Sequence, residues 1–245
     1  MPIESQIDSQ IVRELAPHGR LRVGVNMANA LLVTGRAENG DPAGVSPDMG
    51  RAIADRLGVP VEYVPYPSPG LVADGVEAHE WDIANIGAEP QRAEKISFTP
   101  AYAEIEATYL VAEGSSIRTP EEADRPGHRI AYKARSAYGL WLERNISEAE
   151  LVAVPPDEDA LAYFLEHRLE VLAGLRPRLT RDVETLSGYR MLDGQFMSVQ
   201  QAIGTARENT VAAAWLTEFV QEAKACGVVA GFIERHGVKG LTVPV

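Results

Sequence analysis

Residues 85–92 read NIGAEPQR: a glycine–alanine pair, a proline, a carboxylate at Glu89, an amide and a guanidinium at Arg92, directly after the stretch 81–84. A guanidinium presents paired N–H donors that match a carboxylate, and it keeps its charge when desolvated. Arg92 is therefore a candidate grip for a small anionic solute; the bland alternative is a surface arginine paired with Glu89 or Glu94, worth little to stability. Other chemistries find no foothold. There is no G-x-S-x-G elbow, no H-E-x-x-H pair and no P-loop, which removes the common hydrolase, zinc and nucleotide readings. His18, His79, His128, His167 and His236 are scattered without ligand spacing, so no metal and no cofactor are expected. Cys226 is the single cysteine, which rules out an intramolecular disulfide; in the helical pattern QEAKACGVVAGF it reads as a buried structural thiol.

The elements that position these groups lie in a chain of 245 residues, 45% hydrophobic and 24% charged, enough for one large domain or two lobes. A formal net charge of -12 argues against a nucleic-acid partner, which needs clustered Lys and Arg. No run approaches the roughly 18 apolar residues of a membrane span. The start MPIESQIDSQIVRELAPHG carries early acids and no apolar core of a secretory signal. It reads as a short amphipathic helix with Ile7, Ile11 and Leu15 on one face. Either a signal has been removed, or the natural protein is cytoplasmic.

LRVGVN is a Val-rich strand, and GVSPDMGRAIADRLG is a helix with Met49, Ile53 and Leu57 in phase and Gly58 as its stop. VPVEYVPY reads as a strand, PGLVADGVEAHE as a helix and WDIANIG as a strand, an alternation that implies parallel pairing with helices on the faces. The stretch from Phe98, FTPAYAEIEATYLVAEGSS, outlasts an ordinary strand. A second alternation follows: RIAYKA, ELVAVP and LEVLAGL as strands, SAYGLWLERN, DEDALAYFLEHR and RLTRDVETL as helices. Another long extended piece, YRMLDGQFMSVQQAIGTA, precedes a closing helical run. The chain thus divides into an extension (1–20), a first part of lobe one (21–109), lobe two (110–200) and a return to lobe one (201–245). Two such lobes can hinge about a cleft at the carboxyl ends of their strands.

The ordered set LRVGVN, GVSPDMGRAIADRLGVPVEYV, WDIANIGAEPQRAEKISFTPAY, YLVAEGS, QQAIGTA and GVVAGFIERHG resembles the bacterial solute-binding proteins of amino-acid ABC transporters. The resemblance spans Leu21 to Val243 and is most specific from Trp81 to Tyr102. It implies an α/β, two-lobed type II periplasmic-binding fold: two mixed sheets flanked by helices, with the ligand cleft between the lobes. By motif position Arg92 corresponds to the arginine that clamps the ligand carboxylate, and Asn85 and Gly87 to small polar contact positions. KARSAYG is similar to the family's turn into a helix whose free amides receive the same carboxylate, which makes Ser136 and Ala137 candidates. Ser136 is equally readable as an N-cap, and Arg135 replaces the usual glycine of that turn.

Departures from the family bear on the ligand. Where an acidic residue usually takes the ammonium, this chain has Leu175 and then Arg176. Glu89 stands in place of Thr or Ser and is open to two readings, an ammonium acceptor or a solvated loop carboxylate. The aromatic residue often found after the first strand is absent, with Asn26 and Asn29 there instead, and Tyr66 and Ser68 end the second strand. Arg176, Arg178 and Arg135 make a ligand with one or two carboxylates and no ammonium an option, while Arg176 and Arg178 in GLRPRL read equally as exposed charges at a helix start. The expected function is capture of a small carboxylate-bearing solute by clamp closure, as the monomeric substrate-binding component of an ABC transporter, periplasmic if a signal was removed. The alternatives are a cyclohexadienyl-dehydratase-like lyase and a cytoplasmic ligand-sensing module; the lyase needs a positioned general acid, and Leu175 occupies the position that could supply one.

Overall fold

The computed structural model describes residues 7–245. In chain order its elements are α1 (Ser9–Leu15), β1 (Leu21–Asn26), β2 (Gly35–Arg36), β3 (Pro42–Ala43), α2 (Val45–Leu57), β4 (Val61–Tyr66), α3 (Pro69–Asp74), β5 (Ile83–Gly87), β6 (Ile96–Phe98) and β7 (Ala103–Ala112). They continue with β8 (Arg129–Lys133), α4 (Ala137–Asn145), β9 (Glu150–Val154), α5 (Ala160–Glu166), β10 (Val171–Leu175), α6 (Arg176–Thr185), β11 (Tyr189–Met191), β12 (Met197–Ala206), α7 (Thr210–Ala225) and α8 (Val228–Arg235). These fall into two compact units. Unit one comprises the described residues up to Ala103 together with Gln200–Val245, and unit two is Glu104–Val199.

In unit one the strand order is β4-β1-β5-β12, with β6 also on β12. β1 runs parallel to β4 and to β5, as expected of strand–helix alternation, while β12 returns antiparallel to β5 and makes the sheet mixed. Alternation along β5 sends Ile83 to a core with Leu15, Val23, Val25, Met49, Ile53, Ile203, Leu216 and Val220, beneath α1, α2, α7 and α8. Ala84 and Ile86 face the other way, onto Val72, Trp81 and Ile96. The expected amphipathic start begins as a helix only at Ser9, and residues 1–6 lie outside the described residues: Asp8 caps α1 by accepting from the Gln10 N–H at 2.8 Å, and Ile11 and Leu15 are buried. Ile7 lies partly buried against the same core.

In unit two the order is β7-β10-β8-β9, with β11 also paired to β7. β10, β8 and β9 are parallel and β7 is antiparallel to β10. Tyr109, Ile130, Tyr132 and Leu142 pack on one face, and Leu110, Ala131, Phe164, Leu172 and Leu179 on the other.

Four sequence expectations are corrected. The helix read from PGLVADGVEAHE ends at Asp74. At Gly75 a Cβ would lie 2.6 Å from the Tyr66 hydroxyl and 2.8 Å from Trp81 Nε1, so the chain there is shaped by close approach. The long stretch from Phe98 splits into β6 and β7 around Pro100, which has no N–H for the ladder. The second long stretch splits into β11 and β12, with Gly194 at φ +73 in the break. Cys226 is exposed rather than buried: it follows the last residue of α7, and Gly227 in the left-handed region breaks the run into two helices.

The amino end of β5 is pinned by an ion pair. The Asp82 carboxylate accepts from Arg22 Nη2 (2.7 Å), Nε (3.2 Å) and backbone N–H (2.8 Å), while Arg22 Nη1 donates to the His79 carbonyl (2.7 Å). The side chains are 17% and 4% exposed, against 53% and 46% for Arg20 and Glu62. Removing one partner of a largely buried pair strands the other, whereas exposed pairs contribute little. Asp82→Ala is expected to lower the unfolding free energy in urea by about 3 kcal/mol, and Arg20→Ala by about 0.5 kcal/mol or less.

Candidate functional site

Asn26, Asn85 and Gly87 come together at the carboxyl edge of the unit-one sheet. β1 ends at Asn26 and β5 at Gly87, with Val25 in register with Asn85 and Asn26 with Tyr66. The chain leaves β5 with the Ala88 N–H still donating to the Gln200 carbonyl (2.7 Å), and Ala93 N–H donating to the Glu89 carbonyl (2.9 Å) closes a tight turn. Arg92 opens a short 3-10 turn and folds back, so that its Nη1 donates to the Gly87 carbonyl at 2.7 Å. Arg92 is 6% exposed and Glu89 5%. A loop that holds a guanidinium and a carboxylate out of water within four positions departs from the solvated face such residues ordinarily form. Arginine has five N–H donors in a rigid fork, and the bond to Gly87 sets the plane in which the fork lies.

The remaining unit-one candidates are placed as follows. Asn26 Oδ1 accepts from the Ala28 N–H and Asn29 Oδ1 from the Leu31 N–H, both at 3.1 Å, so the two asparagines shape the turn after β1. The Tyr66 hydroxyl donates to Glu80 at 2.6 Å. Burial and then this carboxylate push its phenol well above the usual range. Ser68 caps α3, accepting from the Leu71 N–H at 3.4 Å. Tyr66 and Ser68 thus direct their polar atoms to α3 and the segment after it.

In unit two, Ser136 is the N-cap of α4: its Oγ accepts from the Gly139 N–H (3.0 Å) and donates to the Lys133 carbonyl (2.7 Å), and Ala137 is the first helical residue. Arg135 adopts φ +59, the left-handed backbone for which glycine is suited. The turn therefore keeps a glycine-like shape, with a strain of about 1–2 kcal/mol for a residue bearing a Cβ. Arg176 opens α6 and donates to Glu106 and to the Gly194 carbonyl. Arg178 pairs with Asp182 (2.8 Å) and Asp159 (2.9 Å). Leu175 immediately precedes α6 and offers no side-chain cap.

Pattern reading missed what lies under Asn85. Its Nδ2 and Oδ1 and the Tyr102 hydroxyl are buried with no hydrogen-bond partner, and burial raises the Tyr102 phenol far above its ordinary pKa. Asn85 entered the sequence reading as a small polar contact position implied by the family resemblance; Tyr102 carried no signal beyond its place in FTPAY. Among the described residues no three His, Cys, Asp or Glu side chains gather as a metal site, and no helix is long and apolar enough to cross a membrane.

Solved structures show the same fold at low identity. An engineered variant of ArgBP from T. maritima is similar with a TM-score of 0.73 and 19% identity, covering 94% of this chain and 100% of that one. The amino acid ABC transporter substrate-binding protein AbpA from Streptococcus pneumoniae, bound to L-arginine, gives 0.72 and 17%, covering 92% and 98%. The ancestral amino acid-binding protein AncCDT-1, a precursor of cyclohexadienyl dehydratase, gives 0.72 and 19%, covering 93% and 99%. No curated protein matches by sequence. These likenesses establish a type II periplasmic-binding fold. The model of one family matches residues 21–239, from the first strand of unit one through both units to the segment beyond α8, and the chain belongs to the bacterial extracellular solute-binding proteins, family 3.

Proposed function

We propose that this chain binds a small carboxylate-bearing solute, an amino acid or a related organic acid, and serves as a monomeric substrate-binding component of an ABC transporter outside the cytoplasmic membrane. The observation that carries this reading is the buried Arg92 guanidinium, held by the Gly87 carbonyl at the end of β5. A preorganised, desolvated guanidinium is the group best suited to fork a carboxylate. Family membership supports solute capture, and the L-arginine in AbpA supports amino acids as a ligand class. The helix start at Ser136 and Ala137 serves as unit two's contribution, and binding by clamp closure follows from the sequence resemblance. Closure is favoured only as far as the solute prefers the closed form, and a transporter would read that population shift.

The likeness to AncCDT-1 brings the lyase into view, and its own description is that of an amino acid-binding precursor. A dehydratase needs a positioned general acid. Leu175 stands at the carboxyl end of β10, where the sequence comparison expects that acid. Binding is therefore the reading adopted.

A thermal-shift screen of amino acids against deaminated and dicarboxylic acids identifies the solute by the rise in melting temperature that tight binding produces. With that solute in calorimetry, Arg92→Ala is expected to weaken binding by roughly 2–5 kcal/mol, about 30-fold to several thousand-fold. Unchanged affinity would remove Arg92 from the site. Ser136→Ala is expected to cost about 1 kcal/mol of stability as a lost cap. It should also lower affinity by about tenfold; a stability loss with affinity intact would leave Ser136 a cap alone.

A further inference from the structure

Arg13, His18, Arg22 and His79 line an open cavity of about 660 Å³ that lies wholly within unit one. The cavity sits at the amino end of β5, where Asp82 leads into the strand and Thr205, near the close of β12, is in register with Ile83. The length of β5, about 13 Å, separates it from the Gly87 end that carries the Arg92 loop. Its volume is ordinary for a small-molecule site.

The four basic side chains come from separate pieces of chain: Arg13 from α1, His18 from the turn after it, Arg22 from β1 and His79 from the segment leading into β5. Three acids share the lining, and two of them are already committed. Glu14 accepts from the Gln10 side-chain amide (2.9 Å) and from the Ala212 N–H in the first turn of α7 (2.8 Å). Asp82 is taken by Arg22, and it is 4% exposed where the guanidinium is 17%, so the cavity meets more of the cation than of the anion. Arg22 places its Nε and one Nη2 hydrogen on Asp82 and one Nη1 hydrogen on the His79 carbonyl, which leaves two of its five donors. Among the described residues neither the His18 nor the His79 imidazole has a hydrogen bond or ion pair, and the Arg13 side chain has one bond, to the Ser9 hydroxyl (2.9 Å). His79 holds a left-handed backbone, φ 50, at a position where glycine would be less strained, and the chain keeps an imidazole there. Glu208 is the one acid of the lining without a partner among the described residues, so free donors outnumber free acceptors. The net charge of -12 is spread over the whole chain and screened beyond about 8 Å at physiological salt, which leaves these near groups to decide what binds.

We infer that this cavity is a second binding site, for the phosphate monoester of a small hydroxylated metabolite, separate from the carboxylate grip at Arg92. Donors arriving from separate segments suit a phosphate, whose three terminal oxygens spread apart and carry roughly two negative charges, better than a planar carboxylate that a single fork satisfies. Each imidazole donates an N–H in either protonation state, so the site does not depend on charged histidines. The same cavity offers acceptors for hydroxyls. Asn209 Nδ2 is committed to Thr205 Oγ1 (3.0 Å) and the Glu14 carbonyl (3.4 Å), which leaves its Oδ1 beside the Glu208 carboxylate to receive them.

Calorimetry of the full chain with glucose 6-phosphate and glycerol 3-phosphate, against glucose, glycerol and inorganic phosphate, tests this. At least one ester is expected to bind, with its parent alcohol and inorganic phosphate each weaker by about tenfold or more. Arg13→Ala is expected to weaken ester binding about tenfold, as loss of a charged hydrogen bond does, and His18→Ala roughly threefold or more. His79→Gly suits the left-handed backbone, so it removes the imidazole without adding strain, and it should weaken the ester by roughly threefold or more. Arg92→Ala is expected to leave ester affinity unchanged. The inference is overturned if neither ester binds, if the parent alcohol or inorganic phosphate binds as tightly, or if Arg13→Ala, His18→Ala and His79→Gly all keep wild-type affinity. Loss of ester binding in Arg92→Ala would overturn it equally, by placing the guest at the Arg92 loop instead.

Discussion

The bond from Arg92 to the Gly87 carbonyl does two jobs. It keeps a long, flexible cation from spending its rotamer freedom in solvent, and it fixes the fork at the carboxyl edge of the sheet. The position of Gly87 depends in turn on β5, which lies between β1 and β12 in unit one. The other end of β5 is tied through Asp82 to Arg22 on β1, and the Thr205 hydroxyl of β12 donates to the Asp82 carbonyl at 2.9 Å. One strand is thus anchored at its amino end by an ion pair and carries the Arg92 loop at its carboxyl end.

Unit two solves a comparable problem with backbone strain. Arg135 holds a left-handed conformation where the resembling proteins have glycine, and Ser136 then closes the first turn of α4 with both its donor and its acceptor. A non-glycine residue at positive φ is retained when its surroundings over-determine it, and such residues gather at functional turns. The tight seat of Gly139, where a Cβ would come 2.6 Å from Tyr132 and 2.8 Å from the Lys133 carbonyl, shows how closely this turn packs on β8.

Much of this was legible in the chain because it is written in periodicity. Met49, Ile53 and Leu57 at helical spacing with Gly58 as stop became α2, whose C-cap glycine has φ 69. Arg92 was singled out by the family resemblance, since the loop pattern alone left a surface ion pair open; its burial on the Gly87 carbonyl is what the structure adds. What stayed hidden depends on contacts distant in sequence. Gly75, just past α3, sits where Tyr66 and Trp81 leave no room for a side chain. The partner of Arg176 lies 70 residues away at Glu106. Cys226 sits in an apolar-looking run, yet it falls at a helix break that exposes it. The isolation of Asn85 is likewise a property of Val25 and Ile203 on neighbouring strands, not of the stretch NIG itself.

These contacts also change the reading of the guest's charge. The sequence offered Arg176 and Arg178 as extra cations for a ligand without an ammonium, but the fold gives both to carboxylates inside unit two, Glu106 for the first and Asp159 and Asp182 for the second. In unit one the loop after β5 buries one guanidinium and one carboxylate, Arg92 and Glu89. Two opposite charges buried within four positions of the chain offset one another, which low-dielectric surroundings favour over either charge alone.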